Sequence, residues 1–247
     1  NSKNFKTGIA IHSPYSVHPF LVREVLNIAK DQNLPVTSHF LESKDEKDWL
    51  NKDEGSFLDF FKNFLNQEKA TTKPLEFLNL FKGVKNLSFT HCVEASNEDF
   101  SKIKELKATI NHCVSSNRFL NNSRLNLESL GNIPFSIGTD GLSSNNSLTV
   151  APFLKASYIS MFDELRVALY THYERNIIKF SKTLLNAATV NGAKALGVKK
   201  GSLIKDFDAD IIGFCLPDKI EEVEDIYMQI ILHTKYVDKI VIGGEFV

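Results

Sequence analysis

The chain has 247 residues, 43% of them hydrophobic and 24% charged, with a formal net charge of −1. That is ordinary for a globular protein able to bury a large core, and it gives no electrostatic case for nucleic acid or an anionic membrane as partner. Three scattered cysteines (Cys92, Cys113, Cys215) with no Cys-x-x-Cys pair exclude a disulfide framework and point to a reducing, cytoplasmic setting. No apolar stretch approaches the roughly 20 residues of a membrane helix, and the residues from Asn1 carry no signal-peptide pattern.

In chain order, Thr7 to Ile11 is a short apolar run, and Leu21, Val22, Val25, Leu26 and Ala29 then recur at helical spacing between His18 and Gln32. Leu34 to Ser38 repeats the strand signal and ends at His39. Asp45 to Gln67 holds one or two Phe-rich helices, and Pro74 to Phe81 a short one with proline at its start. Leu87 to Thr90 is a strand ending at His91, followed by a helix from Asn97 to Leu106 with Glu98 and Asp99 in its first turn.

Ala108 to His112 and Phe135 to Thr139 are the next strands, the second ending at Asp140, with only a short helix at Asn126 to Leu130 between them. Thr149 to about His172 is long and apolar on one face, and Lys182 to Leu196 is a helix stopped by Gly197. Five strand-plus-helix units in succession predict an α/β fold with a parallel sheet, read as the C-terminal five units of a TIM-like (β/α)8 metallohydrolase barrel over residues 1–200. From Gly201 the pattern changes. Ser202 to Phe214 and Lys239 to Val247, the latter with a Gly-Gly hairpin signal, predict a small β-sandwich appendage over residues 201–247.

His39, Glu42, His91 and Asp140 all stand where a strand gives way to a loop, the end at which a parallel barrel builds its chemistry. Two histidines, a carboxylate and a nearby glutamate suit a metal site that holds water and moves its proton. Singly, each has an ordinary reading: His-x-x-Glu in a surface loop, a half-buried His91, an Asp140-Gly141 turn. Their joint placement at three strand ends is what favours a site. His12 closes the first strand and points toward the same place or is fixed by Pro14, while Asn117 either shapes the site or caps a helix. Trp49 with Phe57, Phe60, Phe61 and Phe64 lines a ligand pocket or, as helical spacing favours, packs in the core.

The segments His12-Ser-Pro-Tyr-Ser16, His39-Phe-Leu-Glu-Ser43, Thr90-His-Cys-Val93, His112-Cys-x-x-Ser-Asn117 and Gly138-Thr-Asp-Gly-x-Ser-Ser-Asn-Asn146, in this order, resemble the amidohydrolase superfamily. They are most similar to its aminohydrolase and chlorohydrolase branch, which includes S-adenosylhomocysteine/methylthioadenosine deaminases, triazine hydrolases and aminodeoxyfutalosine deaminases of the menaquinone pathway. The stretch from Glu42 to Leu50 looks most like the last of these, and Gly201 to Asp210 resembles the family's returning sandwich strand.

The resemblance implies one divalent metal, zinc first and iron second, with His39 and Asp140 as ligands. It implies catalytic roles for Asp140, which takes a proton from the water, His91, which holds that water, and Glu42, which passes protons to a ring nitrogen. His12, Asn117 and Ser144 are the substrate-binding candidates. The expected reaction is hydrolytic deamination of an aromatic amino-heterocycle, an adenine-type nucleoside such as aminodeoxyfutalosine. The alternatives are dechlorination of a triazine-type ring and a non-catalytic barrel relative.

Two departures qualify the resemblance. Val114 stands where the branch usually has proline after His-Cys, and the superfamily's His-x-His pair is absent. That pair and three barrel units, on the order of 90 residues, are expected in a segment of the same protein upstream of Asn1. A homodimer is compatible with these features.

Overall fold

The computed structural model describes residues 6–145, 148–151, 156–216 and 219–247. It divides into two compact units, Asn1–His112 with Asn121–Pro134, and Cys113–Leu120 with Phe135–Val247. Asn146 of the fifth motif lies outside the described residues.

The first unit alternates strand and helix: β1 (Ile9–Ile11), α1 (Pro19–Asp31), β2 (Val36–Phe40), α2 (Lys44–Lys52), α3 (Ser56–Leu65), α4 (Pro74–Leu80), β3 (Leu87–His91), α5 (Asn97–Glu105) and β4 (Thr109–His112). Local sequence sets most of the boundaries. The His18 ring accepts from Phe20 N–H ahead of Pro19 at the start of α1, and Ser96 with Asp99 forms a capping box on α5. Asp45 to Gln67 resolves into two helices because Asp53 takes a left-handed conformation at the end of α2.

Strands β1 to β4 are parallel and adjacent in chain order, with Ile11 opposite Ser38, His39 opposite Thr90, Phe40 opposite His91 and Thr90 opposite Asn111. The period of two puts Val36 and Phe40 on one face and Thr37 and His39 on the other. The apolar face packs on α4, where the rings of Phe40 and Phe77 lie 6.3 Å apart and those of Phe81 and Phe89 5.0 Å apart. The opposite face is polar. Asn111 Nδ2 donates to Ser88 Oγ (3.1 Å) and Thr90 Oγ1 (3.1 Å), and Thr37 Oγ1 lies 3.4 Å from it. His39 therefore sits at the rim of a hydrogen-bonded polar layer, while His91, in register with Phe40, has left-handed backbone (φ 70°) and stacks its ring on that of His39.

The second unit contains α6 (Val114–Phe119), β5 (Phe135–Ile137), the antiparallel pair β6 (Leu148–Ala151) and β7 (Ala156–Ile159), then α7 (Met161–Thr171) and α8 (Ile177–Asn186). A π-helical turn, Ala187–Asn191, links α8 to α9 (Gly192–Ala195). After it come β8 (Ile211–Gly213), α10 (Asp225–His233), β9 (Lys239–Ile242) and β10 (Glu245–Phe246), in which β8, β9 and β10 form an antiparallel sheet in the order β10-β9-β8. Gly243 and Gly244 turn β9 into β10, both at positive φ (60° and 89°), as the Gly-Gly signal predicts.

Several expectations fail locally. Asn126 to Leu130 is turn rather than helix, because Asn126 Oδ1 accepts from Glu128 N and Ser129 N and offers the backbone an alternative to helical bonding. The helix expected from Lys182 begins earlier, at Ile177, because Asn176 caps it by accepting from Lys179 N. Part of the Thr149 to His172 run is the β6–β7 pair, and of Ser202 to Phe214 only Ile211–Gly213 is strand. α6 and α10 carry no clear sequence signal, α6 because six residues are too few to show a period. No helix among the described residues is long and apolar enough to cross a membrane.

Candidate active site

In the first unit three histidines from three strand ends come together. His39 lies within β2, one residue from its end, with its ring centroid 5.1 Å from that of His12 and 5.2 Å from that of His91; the latter pair is stacked. The carbonyl of His12 accepts from His39 N–H and from the His39 ring at Nδ1, both at 2.8 Å. A carbonyl only accepts, so Nδ1 carries a hydrogen, which in the neutral imidazole leaves the lone pair on Nε2. This orientation by an outer hydrogen bond is what a metal-ligating imidazole needs, and the donor chemistry of His39 fits a divalent cation such as zinc.

His91 ends β3 with a buried ring, and its Nε2 lies 3.6 Å from Glu42 Oε1. Asn122 Nδ2 stands 3.4 Å from the same Glu42 oxygen. Both strand ends leave through left-handed backbone: Leu41 at φ 47° after β2, His91 at 70° as the last residue of β3 and Cys92 at 53° after it. None of these is glycine, and such conformations persist only where the surroundings hold them.

His12 Nδ1 is 2.6 Å from Ser16 Oγ and 3.0 Å from Ser13 Oγ. Burial lowers its pKa, His39 adds to the lowering, and Glu42 opposes it. Tyr15, raised by burial, sets its ring 5.8 Å from His12 and 4.8 Å from Phe57. Phe57 meets Phe61, which stacks on Trp49 at 5.1 Å. The aromatic group thus divides: Trp49 and Phe61 are core, while Phe60 and Phe64 are exposed.

In the second unit Asp140 follows β5, also left-handed at φ 57°. Ser116 Oγ donates to its Oδ2 at 2.6 Å and Gly141 N to its Oδ1 at 2.8 Å. Asn117 is buried inside α6 and is therefore not a helix cap, and Ser144 is buried with its N–H donating to the Gly141 carbonyl. A fully buried carboxylate, Glu164, accepts from Ser115 N (2.9 Å) and Asn145 Nδ2 (3.3 Å), and the same Asn145 amide donates to the Thr139 carbonyl at 2.5 Å. The loop bearing Asp140 is held from both sides. Among the described residues no group of three or more His, Cys, Asp or Glu is arranged to hold a metal ion.

The sequence matches the amidohydrolase family over residues 1–247. The chain belongs to the amidohydrolase family. This amidohydrolase is 42% identical over 244 residues to an aminodeoxyfutalosine deaminase from Nitratiruptor sp., covering 99% of the chain and 57% of that relative. It superposes on the crystal structure of Helicobacter pylori aminofutalosine deaminase with a TM-score of 0.88 and 32% identity, covering 100% of the chain and 60% of that structure. An adenosine deaminase from Xanthomonas campestris, solved with bound zinc, shares the fold at TM-score 0.70 and 22% identity, over 97% of the chain and 51% of that structure. The chain thus spans less than two thirds of the length of each of these relatives.

Within each unit the structure adds supporting residues that were not among the sequence candidates. Glu46, Ser116, Asn122, Asn145 and Glu164 all hydrogen-bond to a candidate residue or to its loop. Three of them left a signal: Ser116 and Asn145 stand inside the fourth and fifth motifs, and Glu46 completes the Ser43-x-x-Glu46 pattern of a helix start.

Proposed function

We propose that this chain carries the proton-handling residues of a metal-dependent hydrolytic deaminase that acts on an adenine-type nucleoside, aminodeoxyfutalosine before others. The observation that carries the reading is the His39, His91 and Glu42 arrangement, in which one imidazole is oriented for a cation and a second faces a carboxylate. The likeness to deaminases of such nucleosides supports it.

The net reaction adds water to the ring carbon bearing the amino group and releases ammonia. His39 through Nε2 and Asp140 through its carboxylate would hold the metal, which when bound supplies Lewis acidity that lowers the pKa of water toward neutrality. His91 holds the attacking water at Nε2, and the Asp140 carboxylate takes a proton from it. Glu42 delivers a proton to the adjacent ring nitrogen, which makes the neighbouring carbon electrophilic, and later assists the leaving amine. His12, Asn117 and Ser144 contact the substrate. On the same reading residues 1–200 belong to a (β/α)8 barrel and 201–247 to a small β-sandwich; the parallel order of β1 to β4 and the antiparallel β8–β10 sheet support this.

The test is ammonia release by the protein expressed from its complete coding sequence, offered aminodeoxyfutalosine, adenosylhomocysteine, adenosine and guanine. Turnover of the first at the highest kcat/KM is expected. No ammonia from any of the four would overturn the reading, and chloride release from a chlorotriazine without ammonia would replace it.

A further inference from the structure

Glu46 is 1% exposed, and its two carboxylate oxygens take two successive backbone amides: Oε1 accepts from Leu41 N at 3.1 Å and Oε2 from Glu42 N at 2.9 Å. Its own place is set from the other side, where Ser43 Oγ accepts from Glu46 N at 3.2 Å at the start of α2. In an ordinary capping box the acid would reach back to the Ser43 amide; here it reaches one and two residues further. The segment it grips is the left-handed turn at Leu41 that carries the chain from His39 to Glu42.

A buried carboxylate is costly unless its charge is answered. No basic side chain pairs with Glu46 among the described residues, and the titratable groups that face it, Glu42, Tyr15 and Cys92, supply no positive charge. Burial pushes its carboxyl up to about 7, while the two amide bonds pull the other way. What the site gains is geometric. Only a carboxylate offers two acceptor oxygens to two neighbouring N–H groups.

We infer that Glu46 is a positioning residue: its two oxygens clamp the Leu41 and Glu42 amides so that the Glu42 side chain is held against His91. The inference rests on the proposed role of Glu42 in proton transfer. A glutamine at 46 satisfies one amide and turns an NH2 group on the other, loosening the turn without emptying the space.

The test uses Glu46→Gln, Glu42→Gln and the double variant in the protein expressed from its complete coding sequence. Glu46→Gln is expected to lower kcat roughly tenfold or more with KM nearly unchanged, and to add less than about twofold once Glu42 is already Gln, since residues acting as one unit are non-additive. An unchanged kcat, or losses that multiply in the double variant, would overturn the inference. Amide hydrogen exchange provides a readout independent of chemistry. The Leu41 and Glu42 amides should exchange about tenfold faster in Glu46→Gln while the β2 amides do not change. If no nucleoside is turned over, the functional reading fails and exchange alone judges the clamp: unchanged rates at Leu41 and Glu42 sink it, faster rates uphold it. Should Glu46→Gln not fold, Ser43→Ala takes its place, with a smaller kcat loss that must also vanish in the Glu42→Gln background.

Discussion

His91 Nε2 and Glu42 Oε1 lie 3.6 Å apart, brought together by the parallel register that sets Phe40 opposite His91 at the ends of β2 and β3. In the proposed mechanism the imidazole that holds water and the carboxylate that carries the proton thus stand just beyond hydrogen-bond distance of each other.

Glu42→Gln keeps the shape of the side chain and removes its ability to carry a proton. Steady-state ammonia release should show kcat lowered by about 10²–10⁴-fold with KM changed little. A loss confined to KM would assign Glu42 to binding instead.

Chelation should abolish ammonia release, and added zinc should restore it. His39→Ala should lower bound zinc, measured by elemental analysis, because Nε2 is the only ring nitrogen of His39 left to bind a cation once Nδ1–H is committed to the His12 carbonyl. A variant that retains full metal content would remove His39 from the ligand set.

Glu46 carries a pH signature with a defined sign. Its carboxyl is held at about 7 in the fold against an ordinary 4.5, so between these values the native state binds more protons than the unfolded one. Its contribution is present below about pH 4.5 and lost as pH rises toward 7, by on the order of 3 kcal/mol. Urea unfolding of the parent and Glu46→Gln proteins at pH 5 and pH 8 should show the parent losing more stability over the interval.

Gly201 has φ +80°, and a Cβ there would stand 2.5 Å from the Thr189 carbonyl oxygen in the π-helical turn. The atoms it would meet, the Thr189 carbonyl oxygen and carbon, belong to backbone, so nothing cheap can move aside. Gly201→Ala should lower the unfolding temperature by an amount worth about 2 kcal/mol or more. Asn191, in the same turn, donates to the Phe135 carbonyl of β5, so the damage should spread toward the Asp140 loop.

The strand ends that bear His39, His91 and Asp140 were legible because apolar runs stop at them, and five motifs in order placed them in one family. Helix α1 was legible because Leu26 and its neighbours repeat at helical spacing. The supports were not. Glu164 looks in sequence like any helix-face acid, and its burial against Ser115 and Asn145 is a tertiary fact. The left-handed turns at Leu41, His91 and Cys92 were invisible because sequence marks such turns with glycine or asparagine, and here surrounding hydrogen bonds impose them instead.

The rings of Trp49, Phe61, Phe57, Tyr15, His12 and His39 touch one after another from α2 to the end of β2. Trp49 is the chain's one tryptophan and is 1% exposed. The candidate site thus has an optical gauge built in: a change in the packing around His12 has three rings, Tyr15, Phe57 and Phe61, between it and the one indole, whose emission can be excited apart from the tyrosines and needs no dye to be read.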